Sequence, residues 1–241
     1  MENGKKSEMP SLYERMQKLG SLAGFIVDFF ATLLSESQVD YWLGHKDELK
    51  KKLRELFSIN DEYANVRADW QEFYKKFLGW DVDFSRVIIP QMQDVGKWRL
   101  LFIAKGLTMN RVYNAWTFKK DKSYGDIDAS VTKNMRTASE SYAVWVKDEV
   151  EPDQEFLGKS TNQADPNMEI GITLLERMIF EAKYFSETGK HLDVKGATFC
   201  SGSRRSGGGV PGTLLDYYDE VFVGWSDLDL CGSKYGIRRA V

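Results

Sequence analysis

The side chains best suited to covalent or metal chemistry are few and far apart in this sequence. The only histidines are His45 and His191, and the only cysteines are Cys200 and Cys231. Neither histidine has a zinc-type spacing or lies beside a cysteine pair. A nucleophile pair of Cys200 and His191 lacks a third group that would orient the histidine. We therefore predict no catalytic residue, no cofactor and no metal site.

One loop, Ser203–Gly209, has the composition of a phosphate-binding site. It lacks the Gly-x4-Gly-Lys-Ser/Thr pattern, and no clear helix follows whose N-terminus would face a phosphate. A flexible turn, in which glycines relieve backbone strain, is the plain alternative. A phosphate or nucleotide binder, or an enzyme that uses this loop, is kept as the second hypothesis for the function.

Charged residues form two kinds of local run. The acidic stretch from Asp148 to Glu155 lacks the Asp-x-Asp-x-Asp-Gly spacing of calcium loops, and we interpret it as a solvated charge run. The pairs Arg204-Arg205 and Arg238-Arg239 leave a local basic patch open as an alternative, but the plain interpretation is that they are solvated arginines closing two strands. A net charge of −3 gives no general electrostatic footprint for nucleic acid, so no nucleic-acid partner is expected.

Length and composition indicate an ordinary globular protein of 241 residues, with 42% hydrophobic and 29% charged residues. Two cysteines make no disulfide framework, so two free thiols are expected. Met1 to Pro10 lacks the apolar core of a signal peptide, and the apolar run Leu22–Leu34 is too short for a membrane span. We expect a cytoplasmic protein without membrane insertion, unless another route displays it at the cell surface.

Apolar residues at helical spacing predict that residues 1–90 form a helical N-terminal segment. One helix is predicted from Ser11, a second from His45, and a third from Asn60-Asp61 to Gly79, a residue typical of helix ends. A further hypothesis gives this segment, above all Leu22–Leu34, the role of docking a partner.

The rest of the chain mixes strand and helix signals. Strands are predicted at 87–89, 98–104, 142–146 and 197–200, and shorter ones at 214–215, 221–223 and 235–237. Helices are predicted near 108–117 and 169–188, and residues 119–140 are expected to be a polar loop. A run of short strands after helices favours an α+β fold with an antiparallel sheet.

From Trp98 to Val241 the chain resembles a group of uncharacterised proteins from uncultivated microbes. The resemblance is carried by the runs Leu101–Thr108, Leu174–Arg177, Lys183–Phe185, Thr188–Asp193 and Cys200–Arg204, with Val210-Pro211. The C-terminal end is also similar to the variable proteins of diversity-generating retroelements, in which an error-prone reverse transcriptase rewrites adenine-bearing codons. The resemblance implies a C-type-lectin-like ligand-binding domain at 91–241, with a diversified region at about 200–241.

Between Arg205 and Tyr235 the residues are mostly those that adenine mutagenesis of Asn codons can produce. Glu220, Trp225 and Lys234 are outside that set and are expected to be fixed. The resemblance thus implies a non-enzymatic protein whose C-terminal surface binds an unknown protein or other macromolecular ligand, with no signal for an oligomeric state. The candidate variable, ligand-facing positions are Arg205, Gly207, Gly209, Gly212, Leu214, Asp216, Gly224, Ser226, Leu228, Asp229, Leu230 and Gly232.

Overall fold

The computed structural model describes residues 35–49, 62–92, 96–121 and 125–241. Residue contacts divide the chain into two compact units, Met1–Asp61 and Glu62–Val241. The first unit contains helix α1 (Glu36–Gly44), and residues 46–49 are helical too, as predicted from His45. The predicted helix start at Ser11, the run Leu22–Leu34 and the predicted cap Asn60-Asp61 lie outside the described residues.

The second unit begins with helix α2 (Ala64–Leu78), which buries Trp70, Phe73 and Tyr74 on one face. These aromatic residues recur at the spacing of a helix face, which explains why the helix was predictable. The helix ends at Gly79, as predicted, with the left-handed φ of +68° that glycine adopts without strain.

Helix α2 is fixed to strand β1 (Trp98–Ile103) by two buried hydrogen bonds. The indole Nε1 of Trp70 donates to the carbonyl of Leu100 at 3.0 Å, and the hydroxyl of Tyr74 donates to the carbonyl of Phe102 at 2.9 Å. The compact unit therefore starts at Glu62, which differs from the boundary after residue 90 that the sequence suggested.

The predicted strand at 87–89 is wrong, since these residues belong to no strand. The side chain of Arg67 donates to the carbonyls of Phe84 and Val87, both at 3.0 Å, so these groups bond to a side chain instead of a neighbouring strand. Val87 is buried, whereas Ile88 is 77% exposed.

Strand β1 pairs antiparallel with β3 (Tyr142–Lys147), and both strands were predicted. Helix α3 (Met109–Ala115) follows β1 and was also predicted. Its N-cap is Thr108, whose hydroxyl accepts from the backbone N–H of Arg111 at 3.2 Å.

The prediction of a polar loop over 119–140 is wrong in part. Helix α4 (Ile127–Ser130) and strand β2 (Val131–Asn134) lie within it. Strand β2 pairs antiparallel with β5 (Ser203–Arg205). These elements bury only Ile127 and Val131, too few apolar residues to show a periodic pattern.

Helix α5 (Thr161–Ala164) follows a 3-10 turn at Gln154–Phe156, and the long helix α6 covers Leu174–Thr188. Helix α6 begins five residues after the predicted start at 169 because the intervening backbone is bonded elsewhere. The carboxylate of Asp165 accepts from the N–H groups of Glu169 and Gly171 at 2.7 and 3.0 Å. The helix ends at Gly189, as predicted.

The remaining strands are β4 (Ala197–Phe199), β6 (Val210–Leu215), β7 (Val221–Ser226) and β8 (Tyr235–Ile237). They form the largest sheet, in the order β7-β6-β4-β8. All pairs are antiparallel except β4 with β8. The unit is thus a mixed α+β structure with small antiparallel sheets and several helices, which confirms the predicted α+β class.

The last residues return into the middle of the fold. The backbones of Trp145 and Val241 exchange two hydrogen bonds, of 2.7 and 3.0 Å. The N–H of Ala240 donates to Ile170, and that of Ile172 donates to Arg238, both at 2.8 Å. This segment joins strand β3 to the residues that lead into α6.

The two faces of the four-stranded sheet have different surroundings. Val221 and Val223 point to the main apolar core, whereas Phe199, Val210 and Ile237 form a separate small cluster on the outer face. Cys200 and Cys231 are both free thiols, as predicted. No helix in the described part of the chain is both long and apolar enough to cross a membrane.

Candidate ligand-binding site

The outer face of the four-stranded sheet carries a shallow cleft of about 100 Å³. In β6 and β7, Gly212 lies opposite Gly224, and Leu214 lies opposite Phe222. Opposed residues of an antiparallel pair point to the same face, so the two glycines leave the middle of this face without side chains. We call this the sheet cleft, which is lined by Gly212, Leu214, Phe222, Gly224, Leu230 and Tyr235, among others.

The two glycines of the cleft floor differ in how much space surrounds them. A Cβ on Gly224 would lie 2.2 Å from a ring carbon of Phe222, so this ring folds over the glycine. A Cβ on Gly212 would lie 2.9 Å from the carbonyl oxygen of Thr198 on the neighbouring strand. The ring can turn aside, whereas the carbonyl is held in the sheet. A larger residue is therefore accommodated more easily at position 224.

Five of the twelve positions predicted to face a ligand line this one cleft, namely Gly212, Leu214, Gly224, Ser226 and Leu230. They come from β6, from β7 and from the loop before β8, so folding brings together three separate segments. Sequence reasoning placed Phe222 and Tyr235 only in strands, yet both line the cleft. Their outward direction follows from strand alternation once the register is known.

Asp216, another predicted position, closes the turn between β6 and β7. Its Oδ1 accepts from the N–H groups of Tyr218 and Glu220 at 2.8 and 2.9 Å. The turn presents Tyr217 and Tyr218, which are 85% and 61% exposed. The side chain of Asp216 thus shapes the turn, and the two tyrosines supply its exposed surface.

The loop between β7 and β8 contains three further predicted positions in addition to Leu230. Leu228 packs against the small outer cluster, and a Cβ on Gly232 would lie 3.0 Å from the Tyr235 ring. Asp229 is exposed and accepts from the side-chain amide of Asn162 at 2.7 Å. Leu228 and Gly232 therefore serve packing, whereas Asp229 is available at the surface.

The remaining predicted positions lie at the end of β5 and in the turn between β5 and β6. The guanidinium carbon of Arg205 lies 3.7 Å from the ring centroid of Trp225, which is 50% exposed. Gly207 has a φ of +102°, and a Cβ on Gly209 would lie 3.0 Å from the carbonyl oxygen of Ser226. Of these three positions, only Arg205 presents a side chain, and it is stacked on a residue expected to be fixed.

The polar groups at the start of the Ser203–Gly209 loop point inward. Nη1 of Arg204 donates to the carbonyls of Ser201 and Ser203 at 2.7 and 2.9 Å, and the side chain is buried. The hydroxyl of Ser203 accepts from the N–H of Leu174 at 2.9 Å and donates to Asn134 Oδ1 at 2.6 Å. The interpretation of Arg204 as solvated is therefore wrong, and strand β6 follows the loop, as the lack of a helix signal suggested.

A buried set of charged side chains joins α6 to the sheet, and the sequence reasoning missed it. Nη2 of Arg177 and Nη2 of Arg238 each lie 2.7 Å from a different carboxylate oxygen of Asp193. Arg177 also pairs with Glu181 at 2.8 Å, and the hydroxyl of Thr198 donates to Asp193 at 2.8 Å. Burial opposes ionisation of Asp193, but the charges of the two arginines outweigh it and lower the pKa of this carboxyl. The interpretation of Arg238 as solvated is thus wrong.

The groups considered for catalysis have structural surroundings. Cys200 is fully buried, and burial raises the pKa of its thiol. Nδ1 of His191 lies 2.8 Å from Glu181 Oε1, and its ring stacks on Phe185. Within residues 35–49, 62–92, 96–121 and 125–241, no three or more His, Cys, Asp or Glu side chains are grouped so that they could hold a metal ion.

A larger cavity of about 380 Å³ lies between α2 and α6. Its charged side chains are already paired with one another. Lys183 lies 2.6 Å from Asp69, and Lys76 lies 2.6 Å from Glu72. A ligand there would have to compete with these pairs, so the sheet cleft is the better candidate despite its smaller volume.

Neither protein-family models nor curated proteins nor solved structures provide a match to this chain. Its function is therefore inferred from the placement of its own residues.

Proposed function

We propose that this protein is a non-enzymatic binder that holds a macromolecular partner on the sheet cleft, and that a retroelement diversifies this surface. The observation that carries the proposal is the convergence of Gly212, Leu214, Gly224, Ser226 and Leu230 in one apolar cleft. These positions were predicted to face a ligand from their amino-acid types alone, without knowledge of the strand register.

The size of the cleft favours a macromolecular partner. Pockets for small ligands usually enclose about 300–1,000 Å³. A cleft of about 100 Å³ has room for one side chain of a larger partner. Such an anchor in an apolar pocket is the usual centre of a protein interface.

Exposed aromatic residues extend the surface beyond the cleft. Tyr217 and Tyr218 lie in the β6–β7 turn, next along the chain to strands that line the cleft. Trp225 lines the cleft itself and is 50% exposed. Tyrosine and tryptophan give large contact areas at a low cost in side-chain entropy, which makes them frequent in binding surfaces.

The diversification part is tested by sequencing the 3′ end of the gene and its flanking DNA in many cells. We expect substitutions at the codons for Leu214, Ser226, Asp229 and Leu230, together with a nearby template that carries adenines at those sites. A uniform 3′ end, with no template and no reverse transcriptase gene nearby, would remove diversification from the proposal.

The binding part is tested with peptides selected from a random display library on the full chain. Peptides that use the cleft should bind the Leu230→Ser variant at least about tenfold more weakly, because an apolar wall is lost. Ile88→Ser is the matched control, since Ile88 is an exposed apolar residue outside the cleft. Equal loss in both variants, or failure to select any peptide sensitive to Leu230, would contradict binding at this cleft.

A further inference from the structure

We infer that the partner of the sheet cleft is a basic protein segment in which lysines or arginines flank one apolar side chain. This inference rests on the proposed function and adds the chemistry of the partner. Its basis is the distribution of charge around the apolar cleft.

Carboxylates lie in the two loops that adjoin the strands of the cleft, next along the chain to residues that line it. The β6–β7 turn contributes Asp216, Asp219 and Glu220, and the loop after β7 contributes Asp227 and Asp229. Among these, Asp219, Asp227 and Asp229 are exposed. Asp216 and Glu220 are half-buried.

Few cations in the same stretch of sequence oppose these carboxylates. Lys119 and Lys120 lie beside Val221, and Nζ of Lys120 donates to the main-chain carbonyls of Asn114 and Trp116. From 206 to 235, five acidic residues stand against one basic residue, Lys234. Arg205, just before this stretch, is stacked on Trp225. In the part of the chain that the structure describes, none of the five carboxylates lies in an ion pair with Lys or Arg. Elsewhere on the surface exposed acids do pair, as Asp81 does with Lys75.

An apolar centre with acidic residues near it selects its partner through two interactions, an apolar contact and an electrostatic attraction. The cleft takes one apolar side chain, which supplies most of the affinity. The exposed carboxylates attract cations over roughly 8–10 Å at physiological salt, which raises the association rate and disfavours acidic partners. A partner with flanking lysines or arginines makes both interactions at once.

The test uses the full chain, labelled with ¹⁵N, and four synthetic peptides. They are Lys-Lys-Phe-Lys-Lys, Ser-Ser-Phe-Ser-Ser, Glu-Glu-Phe-Glu-Glu and Lys-Lys-Ala-Lys-Lys. At low salt the first peptide should bind at least about tenfold more tightly than each of the others and should shift the amide signals of Leu214, Gly224 and Leu230. Added salt should reduce its advantage over the serine peptide.

Two double variants distinguish the effect of the carboxylates near the cleft on peptide binding from the effect of the protein's overall charge. Asp227→Asn with Asp229→Asn should weaken binding of the basic phenylalanine peptide several-fold and leave the serine peptide unaffected. Asp81→Asn with Glu140→Gln removes the same charge from two exposed acids that already have lysine partners, and it should have little effect.

Each other outcome overturns the inference. If the serine or glutamate peptide binds the cleft as tightly as the basic one, the partner is not selected by charge, and binding at the cleft stands. If none of the four peptides shifts the cleft signals, the basic-partner inference fails. Peptides selected on the full chain, compared on the wild type and the Leu230→Ser variant, then decide separately whether the cleft binds at all.

Discussion

Arg238 Nη2 lies 2.7 Å from Asp193 Oδ1, and both side chains are buried. The same carboxylate also accepts from Arg177, which belongs to α6, so one aspartate holds the C-terminal segment and the long helix together. A buried carboxylate with two cationic partners is costly to remove, because each guanidinium would then be buried with less compensation.

We expect Asp193→Asn to lower the free energy of unfolding by about 3–5 kcal/mol, because two buried arginines lose a counter-charge. Urea unfolding followed by circular dichroism measures the loss. Asp148→Asn is the control, since Asp148 pairs with Arg99 while 36% exposed and should cost below about 1 kcal/mol. Similar losses in the two variants would show that Asp193 does not have the special role assigned to it.

The unfolding free energy should depend on pH through Asp153. Burial raises the pKa of this carboxyl from 3.8 to about 6 in the folded protein. The folded state therefore binds the proton more tightly, and the stability from this group is complete below about pH 4 and is lost as the pH rises through about 6. A shift of about two units corresponds to roughly 3 kcal/mol.

Asp153→Asn removes this titration. The difference in unfolding free energy between the variant and the wild type should move in favour of the variant as the pH rises from about 4 to about 7. Thermal or urea unfolding at several pH values measures that difference. A difference that stays constant over this range would mean that Asp153 titrates near its ordinary pKa.

The two glycines of the cleft should respond differently to the same substitution. Gly224→Ala pushes against the movable Phe222 ring and should cost about 1 kcal/mol or less. Gly212→Ala pushes against the carbonyl of Thr198 and should cost about 2–3 kcal/mol. Denaturant midpoints of the two variants provide the comparison, and an equal or reversed order would contradict the described packing.

The adjacent arginines of β5, Arg204 and Arg205, should also differ in their effect on stability. Arg204→Ala removes hydrogen bonds to the carbonyls of Ser201 and Ser203 and should cost about 1.5–3 kcal/mol. Arg205→Ala removes only a stacking contact with a half-exposed Trp225 and should cost about 1 kcal/mol or less. Unfolding free energies measured under one condition test this. If Arg204→Ala left stability intact and abolished phosphate binding, the second hypothesis for the function would regain support.

Elements with enough apolar residues to show a period were predictable. Strand β1 and helices α2 and α6 belong to this class, and the glycines that follow the two helices indicated where they end. Strand β2 was not predictable, since its four residues bury only Val131 and its partner β5 lies far along the chain. The start of α6 was misplaced because the carboxylate of Asp165 accepts from the N–H groups of Glu169 and Gly171. These are local side-chain bonds that helical periodicity does not reveal.

The candidate site, too, has features that residue types predict and features that depend on contacts between distant segments. Residue types pointed to Leu214, Gly224 and Leu230. Only the register of β6 with β7, together with the path of the loop after β7, brings them to one cleft. Arg177 and Glu181 stand four apart, a spacing that is typical of a solvent-exposed ion pair on a helix. Both are buried because Asp193 and Arg238 complete their environment, and no local pattern indicates that.

The return of residues 238–241 to Trp145 and Ile170 bears on how the chain folds during synthesis. Domains tend to fold as units, N-terminal part first, as they leave the ribosome. Here the edge of β3 and the backbone before α6 have hydrogen-bond partners that are translated about 70–100 residues later. Until then, Asp193 also lacks Arg238. The second unit should therefore complete its native structure only after residues 238–241 have left the exit tunnel, and nascent chains halted before that point should remain sensitive to protease.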